Sequence, residues 1–200
     1  MEPVRNTAIY RSAPGIEQAE RSKQMYAWTT YDSPVGMLTL AGSEEALTGL
    51  WLPGQKYFAA TLPPDAPRRD ELPVFRQASA WLDAYFERRS LPSLPPLAPA
   101  GSDFRQAVWH LLLEIPCGET STYGALAQRL RQRGISAAPQ AVGGAVGHNP
   151  ISILIPCHRC VGADGSLTGY AGGVGKKRFL LELEGADLSR LYVPKRGTAL

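Results

Sequence analysis

The chain has 200 residues, 44% of them hydrophobic, and a formal net charge of +3. That composition supports a buried core and excludes a globally disordered chain. A charge so close to balance excludes neither nucleic acid nor protein as a partner. No stretch approaches the ~18 uninterrupted apolar residues of a membrane helix, and the opening segment lacks the apolar core of a secretory signal. Cys117, Cys157 and Cys160 are too few, and odd in number, for a secreted disulfide framework. These features predict a soluble cytoplasmic protein with reduced thiols and no membrane partner.

Residues 1–24 are polar and broken by Pro14 and Gly15, which predicts a loose tail. Tyr26 to Ala41 holds β-prone residues around Ser33-Pro34-Val35-Gly36 and reads as a hairpin, and Leu47 to Leu52 as a third strand. From Phe75 to Glu87, apolar Phe75, Ala78, Trp81, Leu82, Tyr85 and Phe86 fall at helical spacing. The expectation for 25–90 is a small α/β domain. Residues 91–101 contain four prolines, which fix φ and remove donors, and read as a stiff extended linker. Ser102 or Asp103 then caps a helix through Leu113. Pro116-Cys117-Gly118 interrupts, and a second helix runs Tyr123 to Gln132. Gly134 ends it, and Pro139 opens a third helix to Gly147. Two short helices across a glycine turn form a helix-turn-helix candidate. The third helix is nearly all small residues, which is costly at ~1 kcal/mol per interior glycine. Either an outside surface or a neighbouring helix approaches it closely. Ile151 to Ile155 reads as a short buried strand. Residues 189–200 read as a second tail.

Charge is unevenly spread. Residues 1–100 carry ten Lys/Arg against eleven Asp/Glu, whereas 121–178 carry seven Lys/Arg and one acid, Asp164. Such a local excess suits a phosphate-contacting face, although an ordinary solvated surface has the same composition.

The chemistry centres on Pro156-Cys157-His158-Arg159. A thiolate is the nucleophilic form of cysteine, and a neighbouring base or cation lowers the thiol pKa. A structural buried cysteine is the bland alternative. Cys157 and Cys160 also form a C-x-x-C, as in thiol–disulfide oxidoreductases, but a turn-forming VGADGS follows where a helix should start. Cys157, His158, Cys160 and His148 lack the paired spacing of a zinc site. No metal and no cofactor is expected.

The run NPISILIPCHRCVGADGSLTGYAGG, followed by KKRFLLELEG, closely resembles the O6-alkylguanine-DNA alkyltransferases, over about Phe104 to Gly185 and more weakly before it. The resemblance implies an α+β chain. A small ribonuclease-H-like α/β N-terminal domain is followed by a helical, winged or helix-turn-helix-type domain over 102–188. It implies direct, single-turnover transfer of a methyl or other alkyl group from O6-alkylguanine, with O4-alkylthymine a further candidate, to Cys157. His158 corresponds to the base that deprotonates the thiol through water, Glu184 to the carboxylate that orients it, and Asn149 to the hinge asparagine. Tyr123 corresponds to the tyrosine that helps guanine leave, and Tyr170 to one lining the base pocket. Gln140, Ala141, Gly144, Val146, Arg159, Cys160 and Ala171 fall at substrate- or DNA-binding positions. The implied partner is duplex DNA, entered through the minor groove by a monomer with little sequence preference. Three positions depart from the pattern: Gln140 replaces a usual arginine that fills the space of the flipped base, Ala171 a serine of some members, and Cys160 a valine. Related non-catalytic binders of alkylated DNA lack the cysteine that is present here.

Overall fold

A computed structural model describes residues 26–194; the tail expected at 1–24 lies outside them. Strands β1 (Ala27–Tyr31), β2 (Leu38–Gly42) and β3 (Leu47–Trp51) form an antiparallel sheet in that order. The expected turn closes β1 onto β2: Gly36 N–H donates to the Ser33 carbonyl at 2.9 Å, with Gly36 at φ 100°. Helix α1 (Pro73–Phe86) packs on this sheet with Phe75, Ala78, Trp81, Leu82 and Tyr85 buried. It starts two residues before the apolar periodicity does, because Pro73 has its φ preset for the first turn and needs no donor there.

The proline-rich linker is extended but not free. Leu47 N–H donates to the Pro96 carbonyl and Ala98 N–H to the Leu47 carbonyl, both at 2.8 Å, so Leu97 lies along β3 and is buried. The segment before Cys157 also joins β3. Leu50 N–H donates to the Pro150 carbonyl at 2.8 Å and Ser152 N–H to the Leu50 carbonyl at 2.9 Å. Pairing then stops, so the strand expected over Ile151 to Ile155 is a single bridge at Ile151 followed by a turn. The chain must fold back to bring Cys157 inward, and Ile153 takes φ 70° to do so. That region is strained for a β-branched residue, at about 1–3 kcal/mol.

Helices α2 (Asp103–Leu113), α3 (Tyr123–Gln132) and α4 (Pro139–Gly147) follow, capped by Ser102 and Thr122 at the first two starts and opened by Pro139 at the third. Gly134 at φ 80° turns the chain between α3 and α4. Buried Trp109 ties α2 to α4 by donating its indole N–H to the Ala145 carbonyl at 2.9 Å. Two-residue strands β4 (Ser121–Thr122) and β5 (Cys160–Val161) pair in parallel, and α5 (Val174–Leu183) closes the element order. One apolar cluster runs from Ala27 to Leu180 through both halves. The tail expected from residue 189 is docked as far as it is described: Leu167 N–H donates to the Tyr192 carbonyl and Tyr192 N–H to the Gly165 carbonyl.

Candidate active site

Asn149 follows the end of α4 and organises the turn beyond it. Its Oδ1 accepts from Ile151 N–H at 3.0 Å, and its Nδ2 donates to the Ile155 carbonyl at 2.8 Å and to Cys157 Sγ at 3.1 Å. A single buried amide therefore braces the loop and points a donor at the thiol. Cys157, His158 and Arg159 form one 3₁₀ turn, all buried.

Glu184, at the end of α5, gathers that turn. Its Oε1 accepts from His158 Nε2 at 2.7 Å and Arg159 Nη2 at 2.9 Å, and its Oε2 from Arg159 Nε at 2.8 Å. Arg159 Nη1 donates to the Ile115 carbonyl at 2.6 Å. Tyr85 of α1 donates to Oε1 at 2.7 Å, and Gly118 N–H approaches Oε2 at 3.4 Å. Burial alone would raise the Glu184 carboxyl, but the bonds from His158 and Arg159 outweigh it and hold it far below the usual carboxylate range. An ionised carboxylate only accepts, so His158 carries its proton on Nε2. Its Nδ1 is buried without a protein partner. Burial lowers the His158 pKa against the opposing pull of Glu184, leaving a neutral imidazole.

Two expectations need correction. Arg159 is 8% exposed and spends its guanidinium on Glu184 and Ile115, so it is not available to an outside phosphate. Nor do His158 and Arg159 lower the thiol pKa. One is neutral and the other is neutralised by Glu184, and burial pushes Cys157 up, with the Asn149 donor and the Lys177 charge only partly opposing it. The resting thiol is protonated and needs a base.

Lys177, on α5, is fully buried and donates to the carbonyls of Cys160 at 2.5 Å and Thr168 at 2.8 Å. Burial lowers its pKa to about 8, against the pull of the two nearby thiols. Burial likewise pushes Cys160 up to about 12. No α-helix starts at Cys157, so the thiol–disulfide alternative loses its activating dipole. Tyr123 donates its hydroxyl to the Thr168 carbonyl at 2.9 Å. Tyr170 stands edge-on to His158, its hydroxyl buried without a protein partner.

Beside this network lies an open cavity of about 450 Å³, lined by Gly143, Gly144 and Gly147 of α4, by Tyr170 and Ala171, and by Tyr57 from the first half of the chain. Tyr57 stacks on His148 at 4.1 Å. Gln140, Ala141 and Gly144 are exposed on α4, whereas Val146 is buried. A methyl added at Gly144 or Gly147 would meet nothing within 4 Å, so internal packing does not require either glycine.

The seven basic residues of 121–178 are less free than their count suggests. Arg159 and Lys177 are buried; Arg129 and Arg133 pair with Glu114, and Arg178 with Glu182. Those acids lie outside the counted window. Exposed pairs of this kind are worth little and exchange readily.

Three site residues escaped the sequence. Tyr85 looked like one more apolar position of an amphipathic helix. Lys177 was one of the seven basic residues counted towards a phosphate-contacting face. Gln55 sat in a loop, yet it is buried: its Oε1 accepts from Ser152 Oγ at 2.8 Å and its Nε2 donates to the Asn149 carbonyl at 3.4 Å. Nothing local marks a polar residue whose partner is 97 positions away.

Comparison with known proteins matches residues 26–99 to the family described as 6-O-methylguanine DNA methyltransferase, ribonuclease-like domain. Residues 103–186 match the DNA binding domain of the same enzyme. A methylated-DNA--protein-cysteine methyltransferase of Haemophilus influenzae is 46% identical, covering 78% of this chain and 85% of that one. One from Methanosarcina acetivorans is 44% identical, covering 80% and 98%. The structure of Mycobacterium tuberculosis OGT in complex with DNA aligns at TM-score 0.68 and 44% identity, covering 83% of this chain and 94% of that one. With both halves matched, and with full-length relatives sharing close to half of the aligned residues, the chain belongs to the 6-O-methylguanine DNA methyltransferase family.

Proposed function

We propose that this protein repairs DNA by moving a methyl or other alkyl group from O6 of guanine to Cys157, once per molecule. The observation that carries the reading is the line from Asn149 to Cys157, and from His158 to Glu184, beside an open cavity. The lesion lies inside a base pair, so the nucleotide must be turned out of the stack to reach a buried thiol. Neutral His158 takes the thiol proton on Nδ1 through a water, while Asn149 Nδ2 and the Lys177 charge stabilise the sulfur anion. The thiolate attacks the alkyl carbon in line. An S–C bond forms, the C–O6 bond breaks, and its electron pair stays on guanine. Tyr123 supplies one proton to the departing base by turning its hydroxyl away from the Thr168 carbonyl, and the imidazolium of His158 passes the former thiol proton through water to the tyrosinate, so that the base gains one proton in all. The Cys160 carbonyl has a second lone pair beside its bond from Lys177, and it accepts from the guanine amine. The thioether is stable, so transfer stops at one equivalent. A titration with methylated duplex DNA tests this: continued turnover beyond one methyl per chain refutes it.

In this reading exposed Ala141 and Gly144, with half-buried Gly143 and Gly147, let α4 enter the minor groove, which offers little base-specific information. The monomer then holds DNA mainly through phosphates, with Arg129, Arg131 and Arg133 the available cations. Residues 25–90 act as a scaffold, 91–101 as a linker and 102–188 as the transfer and DNA-binding domain, in the cytoplasm.

Gln140 is exposed at the start of α4, and in this reading it fills the space the flipped base leaves. It is shorter and neutral compared with the arginine that the resemblance implies as usual at this position. A hydrogen bond to a charged group is worth ~1.5–3 kcal/mol against ~1 for a neutral one. Gln140→Arg is therefore expected to speed repair in duplex DNA several-fold and to leave transfer from the free alkylated base unchanged. Gln140→Ala is expected to slow only the duplex reaction. Second-order rates on both substrates check this; equal effects on both would remove Gln140 from base flipping.

A further inference from the structure

Glu184 is where two distant parts of the chain meet. Its Oε1 accepts from His158, from Arg159 and from Tyr85, and Tyr85 alone comes from α1, 99 residues away. Tyr85 is 4% exposed, so its bond to the carboxylate is made out of water. Hydrogen bonds to ions are strong there. The ring is held by other contacts: it stacks on Trp81 at 5.2 Å and meets Phe86 edge-on at 5.3 Å. A phenylalanine would satisfy that packing. The hydroxyl does something the core does not require.

We propose that Tyr85 is a positioning residue of alkyl transfer: its hydroxyl fixes Glu184 Oε1 against His158 and takes a share of that oxygen's charge, and so sets the basicity of the imidazole that receives the thiol proton. The inference rests on the transfer reading above. Donors on one oxygen compete. When Tyr85 donates, less carboxylate charge remains for His158, and the imidazolium is less stabilised. Without the hydroxyl, Glu184 becomes the stronger acceptor and His158 the stronger base.

The other groups facing this pair are Arg159 and Lys177, whose charges oppose protonation of His158, together with Tyr170, Cys157 and Cys117. None of them is altered by Tyr85→Phe. The variant keeps the ring and leaves Glu184 its bonds from His158, Arg159 and Gly118.

The test is the pH profile of transfer from a free O6-benzylguanine base, which avoids the pH dependence of DNA binding. His158 must be neutral to accept the proton, so the rate falls as pH drops through its pKa. In Tyr85→Phe that acid limb is expected to move to higher pH by about half a unit, with the His158 ring nitrogens titrating in step by NMR. Should the phenylalanine variant fold poorly, 3-fluorotyrosine placed at position 85 keeps the hydroxyl and makes it a stronger donor. The limb is then expected to move to lower pH. Unchanged acid limbs in these proteins, whatever their melting temperatures, would overturn the proposal and leave Tyr85 as a contact between helices. If the wild-type protein takes up neither the benzyl group nor a methyl group from O6-methylguanine in duplex DNA, the transfer reading fails and the inference falls with it; that outcome is separate because it appears in the control.

Discussion

Glu184→Gln is expected to slow transfer to Cys157 by ~10²–10⁴-fold, the usual worth of general-base assistance. The carboxylate is the acceptor that fixes the His158 tautomer and leaves Nδ1 free for the thiol proton. An amide at this position presents N–H groups to Arg159 or His158, both of which are donors. The substitution also leaves the Arg159 guanidinium buried without a countercharge. Breaking a buried pair in this way costs about 3–5 kcal/mol. Stability should therefore fall along with activity, and DNA affinity has to be measured below the variant's melting range. The acid response adds a second signature. The folded pKa of Glu184 lies below its unfolded value, so its stabilisation is complete above the unfolded value and drains away as pH falls towards the folded one. Melting curves of the wild type should drop more steeply below about pH 4.5 than those of Glu184→Gln. Near-normal transfer rates in the variant would remove His158 and Glu184 from the mechanism.

Asn149 is expected to give the other large effect, with a sign that separates two roles. If the amide only braced the loop, Asn149→Asp would be the milder of two damaging changes, because Oδ1 still accepts from Ile151 N–H whereas both Asp and Ala lose the Nδ2 bond to the Ile155 carbonyl. If Nδ2 stabilises the sulfur anion, aspartate is the worse substitution. It removes the donor at 3.1 Å from Sγ and sets a negative charge there instead. A charge-assisted hydrogen bond of ~1.5–3 kcal/mol corresponds to a loss of ~10–100-fold in rate. Asn149→Ala should lie in that range and Asn149→Asp below it, with the Cys157 thiol titrating higher in both. Aspartate faster than alanine would assign Asn149 to loop structure alone.

The elements and the reactive centre differ in how far they can be read from the sequence. The helices of the second half carry their own signals: Ser102 and Thr122 as caps, Pro139 at a first turn, Gly134 at a positive φ. Local physics sets such boundaries. The motif around Cys157 was equally plain as a motif. Its electrostatics were not, because they depend on burial and on partners far along the chain. Arg159 counts towards a basic, DNA-facing surface until Glu184 reaches it, and Cys157 looks activated until its desolvation is weighed. The Ile151 to Ile155 run has the composition of a strand, but β3 offers it a place at Ile151 alone, and the need to turn Cys157 inward overrides propensity. Tyr85 and Gln55 were invisible for the same reason: a buried tyrosine and a loop glutamine acquire meaning only from Glu184 and Ser152.

The most direct measurement is peptide mapping by mass spectrometry after incubation with duplex DNA carrying O6-methylguanine. The chain offers three free thiols, of which Cys117 is exposed whereas Cys157 and Cys160 are buried. Simple thiol reactivity would favour exposed Cys117. The account predicts one methyl group, on the peptide holding Cys157, and none on Cys117 or Cys160 at saturation. A methyl on either of those, or an unmodified protein with demethylated DNA, would contradict it.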